Sequence, residues 1–290
     1  MNETAFSLRS TDPALLEVVD RYLGAHAIQA PVKGERYYRF SADCGEERSL
    51  PGVRRAKRVG SLYMNTLRVF RVRGLEEMAG RFISTIRDIA TFASDEYVRI
   101  RAGAVAFDGR VVLLPSPPEP HLPALVGGLV RTGAALLGDE IALIEPVLRD
   151  VHPLGLPILV GVEDRGLFAD VLREEPASQR KNDREGLEQI RYAILAQDLG
   201  GRVAETAPVG WFVFPRFELG GPTRLEAIGG SEALFEFARA GLNFHVWGER
   251  ALILGREMLA SVPVRRLRVG SVADAVTLLR DLDGREGGAA

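Results

Sequence analysis

The residues of this chain best suited to chemistry lie in one segment, 111–146, where a polar loop is followed by the acidic pair Asp139-Glu140. The residue pattern predicts a strand, a loop, a short helix and a second strand beside the acidic pair. A loop between a strand and a helix is where backbone N–H groups converge on phosphate, and a nearby carboxylate can hold the accompanying metal ion. The order of these parts therefore predicts the layout of a phosphate-binding site.

The loop in this layout has the sequence Ser-Pro-Pro-Glu-Pro-His (116–121), which contains neither glycine nor lysine. Its prolines, like the neighbouring Pro115 and Pro123, carry no N–H group that could be donated to a phosphate. Glu119 adds a negative charge where phosphate charges would lie, a repulsion on the order of several kcal/mol in a partly dry site. The loop therefore occupies the position of a phosphate site without the groups that such a site needs.

Residues 1–95 are predicted to form a small N-terminal α+β unit. Asp12 and Pro13 mark the start of a helix, because these residue types are favoured at the N-cap and at the first helical position. The basic stretch 51–60 is interpreted as a solvated hairpin or edge strand, and a patch for an anionic partner is the alternative. Two strands and a second helix are predicted at 36–43, 62–72 and 74–96.

Residues 96–283 are predicted to form a core domain in which strands and helices alternate. Asp108-Gly109 is typical of a tight turn between two strands. A helix is predicted at 184–201, after a polar stretch at 174–186 that we interpret as a mobile loop, and residues 284–290 are interpreted as a disordered tail. The fold class expected from this order is α/β (α+β) with mixed sheets.

Composition and charge argue against several broad classes of protein. The 290 residues carry a net charge of -2, so no overall basic field favours nucleic-acid binding. No apolar run reaches the ~18 residues needed to cross a membrane. The one cysteine, Cys44, can form no internal disulfide, and the chain begins with no secretory signal. We therefore expect a cytoplasmic protein that binds neither nucleic acid nor membrane.

Four stretches of the core carry a family resemblance: RAGAVAFDGRVVLLP (101–115), LVRTGAALLGDEIALI (129–144), VHPLGLPILV (151–160) and FPRFELGGPTRLEAIGGSEALFEF (214–237). In order and spacing, the chain resembles the HPr kinase/phosphorylase family over residues 60–282. It looks closest to the HPr kinase-related proteins that often accompany bacterial peptide-maturation systems. The family has a P-loop fold of the phosphoenolpyruvate-carboxykinase (PEP-carboxykinase) type, so the resemblance implies a PEP-carboxykinase/HPr-kinase-like core of mixed sheets.

Laying the family's phosphate loop on this chain places its functional residue types on unsuitable residues. The lysine that holds the β- and γ-phosphates falls on Leu122, and the hydroxyl that binds magnesium falls on Pro123 or Ala124. The glycines of the family's loop fall on Ser116, Glu119 and His121. The resemblance therefore implies a degenerate phosphate loop.

Outside the loop, one functional position of the family is changed and one is kept. The family tends to carry a histidine at the end of the strand before the loop, where this chain has Arg101-Ala102. The acidic residue that helps with metal and proton chemistry in the family is kept as Asp139, with Glu140 beside it. These differences imply a scaffold that has lost catalysis.

Each candidate residue has two interpretations. Asp139 and Glu140 are candidates for catalysis, and Asp139 is a weak candidate for a metal, but the pair also suits a turn at a strand bend. Arg101 and Arg216 are candidates for binding an anion in the emptied pocket, but each also suits an ion pair with a local acid.

Other reactive residue types carry no prediction of a site. His121 and His152, taken with Glu119, lack the spacing of metal ligands. Ser116 lacks the flanking glycines and the partners of a nucleophile elbow. We therefore predict neither a metal centre nor a serine nucleophile.

Three functions from different classes fit these observations. We favour a catalytically degenerate HPr-kinase-like protein, a pseudokinase that acts as a binding or scaffold component and uses no cofactor. Its partner would be a protein or peptide, such as a precursor peptide or a maturation enzyme, with no oligomeric state assigned. The alternatives are an atypical kinase or phosphotransferase that uses ATP and Mg²⁺ on a peptide or protein, and a binder or enzyme for a small anionic metabolite.

Overall fold

The computed structural model of the chain describes residues 4–28, 36–46, 58–93, 95–172 and 191–282. Contacts divide the chain into two units: residues 1–94 with 176–193, here called unit 1, and residues 95–175 with 194–290, here called unit 2. The predicted loop at 174–186, the predicted tail at 284–290 and residues 51–57 of the basic stretch all lie outside the described residues.

In the described part of residues 4–93, unit 1 has four strands and two helices: β1 (Thr4–Ser10), α1 (Pro13–Leu23), β2 (Arg36–Glu46), β3 (Arg58–Met64), β4 (Leu67–Arg73) and α2 (Leu75–Phe92). The strands form one sheet in the order β1-β2-β3-β4, in which β1 is parallel to β2 and the other neighbours are antiparallel. Helix α1 begins where the sequence predicts, since the Asp12 carboxylate accepts the Ala14 N–H at 3.0 Å and Pro13 holds the first helical position.

One face of the unit 1 sheet is covered by its helices. Phe40, Leu62 and Val72, on three neighbouring strands, are all buried. The Phe40 ring meets the Phe82 ring of α2 edge to face, with centroids 5.3 Å apart. Because successive side chains of a strand point to opposite faces, the residues between these buried positions lie on the other face of the sheet.

The rest of the described chain contributes these strands: β5 (Val98–Phe107), β6 (Arg110–Pro115), β7 (Ala135–Gly138), β8 (Ile141–Ile144), β9 (Asp150–His152), β10 (Ile158–Gly161), β11 (Arg191–Ile194), β12 (Arg202–Val203), β13 (Ala207–Phe217), β14 (Arg224–Ala227) and β15 (Val264–Val269). Its helices are α3 (Leu122–Arg131), α4 (Gly230–Ala240), α5 (Phe244–Trp247), α6 (Glu249–Ser261) and α7 (Val272–Arg280). Short 3₁₀ turns cover Gly24–His26, Val162–Phe168 and Ala196–Leu199.

The main sheet of unit 2 has nine strands and mixes parallel with antiparallel pairs. Its order is β12-β7-β5-β8-β9-β13-β15-β14, and β6 pairs with both β13 and β5. Strand β13 runs parallel to β15 and β6, whereas β5 runs antiparallel to β6, β7 and β8. This arrangement confirms the predicted α/β class with mixed sheets.

Helices cover both faces of the unit 2 sheet. On one face, Leu125 of α3 and Val276 of α7 share a buried core with Val213 of the sheet. On the other face, Phe237 of α4 shares a second core with Phe212. Adjacent residues of β13 therefore point into different cores, as the pleat of a strand requires. We call these two sides the α3 face and the α4 face.

The turn between β5 and β6 forms where the sequence predicts it. Phe107 pairs with Arg110, so Asp108 and Gly109 are the two loop residues of the hairpin. Both have positive φ angles, 45° and 77°, as a type I′ turn requires. This hairpin fixes β6 beside β5 and so positions the start of the following loop.

The helix predicted at 184–201 is wrong for residues 191–201. Residues Arg191–Ile194 form a strand, and Ala196–Leu199 form a 3₁₀ turn that ends at Gly200 with φ 75°. Tyr192, Ala193 and Ile194 are buried in succession, which suits an extended segment covered on both sides. A surface helix would bury only one stripe of residues.

None of the helices within the described ranges is long and apolar enough to cross a membrane.

Candidate functional site

The loop 116–121 lies between β6 and α3, and three N–H groups in it and directly after it are bonded within the protein. The Ser116 N–H donates to the Arg101 carbonyl of β5 at 3.1 Å. The His121 N–H donates to the Glu119 carboxylate at 3.3 Å, and the Leu122 N–H donates to the Glu119 carbonyl at the same distance. Glu119 thus accepts two N–H groups at the helix start, which is where a phosphate loop would present donors to its ligand.

The first turn of α3 lies inside the core of unit 2. Leu122, the residue on which the family's lysine falls, is only 1% exposed. Its side chain packs against β5 at Gly103, where an added Cβ would lie 3.3 Å from a Leu122 methyl carbon and 2.6 Å from Val126. Pro123 and Ala124 are buried as well. The positions of the lysine and the metal-binding hydroxyl therefore face packed apolar side chains.

Asp139 and Glu140 form the turn between β7 and β8. The buried Asp139 carboxylate accepts the Leu159 N–H of β10 at 2.8 Å. The Glu140 carbonyl accepts the Ala102 N–H of β5 at 2.9 Å, and the Glu140 side chain is also buried. Of the two interpretations of this pair, the geometry favours the turn, in which Asp139 anchors a neighbouring strand.

The two arginines proposed as an anion site lie on opposite faces of the sheet. Arg216 pairs with the Glu236 carboxylate of α4, so its side chain lies on the α4 face. Ile100 and Ala102 of β5 belong to the core of that same face. Arg101 stands between them and therefore points to the α3 face. The two arginines therefore lie on opposite faces of the sheet, and anion binding by either one stays a prediction.

The two histidines considered as metal ligands have different partners. The His152 ring lies 3.2 Å from the Thr206 hydroxyl and 4.8 Å, centre to centre, from the Tyr97 ring. His121 instead pairs with Asp164. Among the described residues, no group of three or more His, Cys, Asp or Glu side chains is arranged to hold a metal ion.

The pair of His121 and Asp164 is a polar contact that the sequence analysis missed. The His121 Nδ1 lies 2.8 Å from the Asp164 Oδ2, and both side chains are largely buried. The Phe217 ring lies beside the imidazole, with centroids 5.8 Å apart. The partners are separated by 43 residues, and no local pattern joins them. The carboxylate can fix the ring tautomer by accepting a hydrogen bond from Nδ1–H, which leaves Nε2 for other contacts.

Burial raises the pKa of the Asp164 carboxyl above its ordinary value, and the hydrogen bond from His121 offsets part of this rise. The charge of Glu163 adds to the rise. An ionised Asp164 is therefore costly in this position, because the loop and the 3₁₀ turn at 162–168 exclude water from it.

We expect the stability advantage of Asp164 over asparagine to fall as the pH rises. An aspartate whose pKa is raised by folding contributes stability that is fully present below the ordinary value of 3.8 and is lost as the pH passes the raised value. Urea unfolding of the wild type and of Asp164→Asn, followed by tryptophan fluorescence across this window, measures the difference. Trp211 and Trp247 both lie in unit 2. A difference that does not change with pH would contradict the expectation, and Asp108→Asn in an exposed turn controls for the lost charge.

The chain matches no protein-family model and no curated protein sequence.

Proposed function

We propose that this chain is a catalytically degenerate HPr-kinase-like protein, with a PEP-carboxykinase-type core, that acts by binding a protein or peptide. The observation that carries the proposal is that the loop 116–121 uses its own Glu119 as the acceptor for the N–H groups that follow it. The Glu119 carboxylate accepts the His121 N–H, and the side chain of Leu122 is buried in the core. A carboxylate of the protein thus lies where a phosphate oxygen would bind.

The chemistry of a phosphate loop needs converging N–H donors, a lysine as counter-charge and a hydroxyl for the metal. In this chain the N–H groups of Ser116, His121 and Leu122 have partners within the protein. The lysine position is an aliphatic side chain, and the hydroxyl position is Pro123 or Ala124, both buried. These facts support a protein that uses the scaffold without ATP chemistry.

The partner that we propose is a precursor peptide or a maturation enzyme, acting in the cytoplasm. This part of the proposal rests on the resemblance to HPr kinase-related proteins, which often accompany peptide-maturation systems. A scaffold that presents a fixed loop suits such a role, because prolines limit the conformations of the loop and so lower the entropy lost on binding.

The geometry gives less support to the two alternative functions. An atypical kinase would need Asp139 as a metal ligand or base, but its carboxylate is buried and bonded to the Leu159 N–H. A site for a small anionic metabolite would need Arg101 and Arg216 to converge, whereas the two lie on opposite faces of the sheet. Neither alternative is favoured by a contact within the described residues.

Calorimetric titration with ATP and Mg²⁺ tests the proposal. We expect no saturable heat for the wild type, since the N–H groups of Ser116, His121 and Leu122 are bonded within the protein and the loop carries no lysine. Asp139→Asn and Glu119→Gln are expected to be equally silent, because the first keeps the buried turn and the second leaves the prolines and Leu122 in place. Saturable heat in the wild type that is lost in Asp139→Asn would contradict the proposal and favour the atypical kinase.

A further inference from the structure

The face of the unit 1 sheet opposite its helices carries arginine and hydroxyl side chains. The register places Arg9, Ser41, Tyr63 and Arg68 in one row across all four strands. Phe40 and Leu62, the neighbours of Ser41 and Tyr63 along their strands, are buried against the helices. Arg68 joins the row through its pairing with Tyr63, beside a register shift on β4. The residues of the row therefore share the opposite face, which we call the arginine face.

Further basic residues flank this row on the same face. Arg39 lies two residues before Ser41 on β2 and therefore on the same face, and its partner in β1 is Ser7. On the other side of the row, Arg71 pairs in register with Ser61, and Ser61 with Asp43. Among the side chains that the structure describes, the arginine face thus holds Arg9, Arg39, Arg68 and Arg71 against one carboxylate, that of Asp43.

Three of the arginines on this face are available to a partner. Arg9, Arg39 and Arg68 are exposed, and among the described residues no carboxylate lies within ion-pair distance of any of them. The charge of the chain is also uneven. Residues 1–94 contain 15 Lys and Arg against 11 Asp and Glu, whereas the rest contains 22 against 28. A net charge of +4 is therefore concentrated in the part that carries the arginine face, despite the overall charge of -2.

We infer that the arginine face binds an extended acidic segment of a protein partner, with Arg9, Arg39 and Arg68 pairing with its carboxylates. This inference rests on the proposed function and names the surface and the chemistry of the partner. Arginine binds carboxylates through two parallel N–H groups, and charge complementarity steers such partners together.

The spacing of the arginines suits an extended chain that crosses the strands. Arg9 of β1 and Arg68 of β4 stand three strands apart, roughly 14 Å at the usual strand separation of ~4.8 Å. Residues i and i+4 of an extended chain are separated by about the same distance. A segment with acidic residues at every second position would therefore reach both arginines, while Arg39 meets a carboxylate from the side.

The tyrosines of this face favour a peptide over single-stranded nucleic acid. Sequence-tolerant binding of single strands uses aromatic rings that are open to stacking bases. One face of the Tyr37 ring is occupied by the Arg39 guanidinium, whose central carbon lies 5.3 Å from the ring centre, and Tyr37 is 41% exposed. Tyr63 is half-buried in the middle of its row. The two rings thus offer bases one open face at most on Tyr37 and little surface on Tyr63, whereas the guanidinium groups of Arg9 and Arg68 remain open to carboxylates.

Fluorescence anisotropy with three labelled probes tests this inference on the full chain at low ionic strength. The probes are a short peptide with aspartate at every second residue, the same peptide with asparagine, and an oligothymidylate. We expect the aspartate peptide to bind most tightly, and its affinity to fall as salt is added, because exposed charges are screened beyond about 10 Å at 0.1 M salt.

The variant Arg9→Gln/Arg39→Gln/Arg68→Gln is expected to weaken binding of the aspartate peptide by about tenfold or more. The matched control, Arg202→Gln/Arg250→Gln/Arg256→Gln, removes three exposed arginines from unit 2 and is expected to leave binding within about twofold. The variant Arg9→Lys/Arg39→Lys/Arg68→Lys is expected to keep more affinity than the glutamine variant, because it keeps the positive charges. Such a difference would not be expected if the three arginines only supported the fold. Circular dichroism confirms that each variant is folded.

Three outcomes overturn the inference: no binding of the aspartate peptide, equal binding by the arginine-face variant, or tighter binding of the oligothymidylate that the variant abolishes. The last outcome would assign the face to nucleic acid. These results are separable from a failure of the proposed function. Saturable heat with ATP concerns the loop of unit 2 alone, and the peptide measurements concern unit 1 alone.

Discussion

Leu122→Lys is expected to lower the free energy of unfolding by roughly 3–5 kcal/mol, the cost of an uncompensated buried charge. The substitution restores the residue type that the family resemblance expects, but Leu122 is 1% exposed and packs against Gly103 and Val126. Neutralising a lysine of ordinary pKa ~10.4 at pH 7 would cost about 4–5 kcal/mol, so a deprotonated lysine side chain at this position would destabilise the protein about as much as a charged one. We also expect no ATP binding by this variant.

Urea unfolding followed by the fluorescence of Trp211 and Trp247 measures this effect in unit 2. Leu122→Met is the matched control, because it keeps the volume and the apolar character and should cost less than about 1.5 kcal/mol. Near wild-type stability of Leu122→Lys, together with heat on titration with ATP and Mg²⁺, would show that the start of α3 can open. That result would return the kinase interpretation to first place.

Asn243→Leu is expected to lower the free energy of unfolding by about 2–4 kcal/mol, because it leaves buried backbone groups without a partner. Asn243 is fully buried. Its side-chain oxygen accepts the Arg99 N–H at 2.8 Å, and its amide donates to the Tyr97 carbonyl at 2.8 Å. Leucine fills a similar volume and replaces neither bond. The Trp247 indole N–H also donates to the Tyr97 carbonyl at 3.2 Å, so this carbonyl keeps one hydrogen bond in the variant.

The same urea measurement tests this variant, and the shift of the midpoint at unchanged slope gives the loss. Ser261→Ala is the control, since its hydroxyl donates only to the Met258 carbonyl of its own helix and its loss should cost about 0.5 kcal/mol or less. A loss for Asn243→Leu no larger than that of the control would mean that water or a shifted backbone replaces both bonds.

The variants Leu122→Lys and Asn243→Leu both probe the packed interior of unit 2, the first at an apolar position and the second at a polar one. Leu122 shows how a position expected to hold a phosphate is used for packing, and Asn243 shows how a buried polar side chain holds the start of β5 beside the residues before α5. Strand β5 also carries Arg101 and receives the first amide of the loop. The loop that resembles a phosphate site is thus part of the packed structure, which agrees with the proposed binding role.

Local residue chemistry was sufficient to predict several elements from the sequence alone. Asp12 and Pro13 start α1, and Asp108-Gly109 forms the turn between β5 and β6, as predicted. In each case the residue type has a strong preference for one backbone conformation, so neighbours in the chain decide the outcome. The prolines and Glu119 of the loop also predict a poor phosphate site, and this stays a prediction.

Only the tertiary structure decided which side chains meet. Arg101 and Arg216 lie on opposite faces because the relative phase of two strands depends on register and bulges, including the register shift on β13 between Val209 and Trp211. His121 pairs with Asp164, 43 residues further along the chain, and the Asp139 carboxylate accepts a backbone N–H of β10. The pattern of a single strand gives its alternation, but the pairing of faces arises only when distant strands and helices pack around a common core.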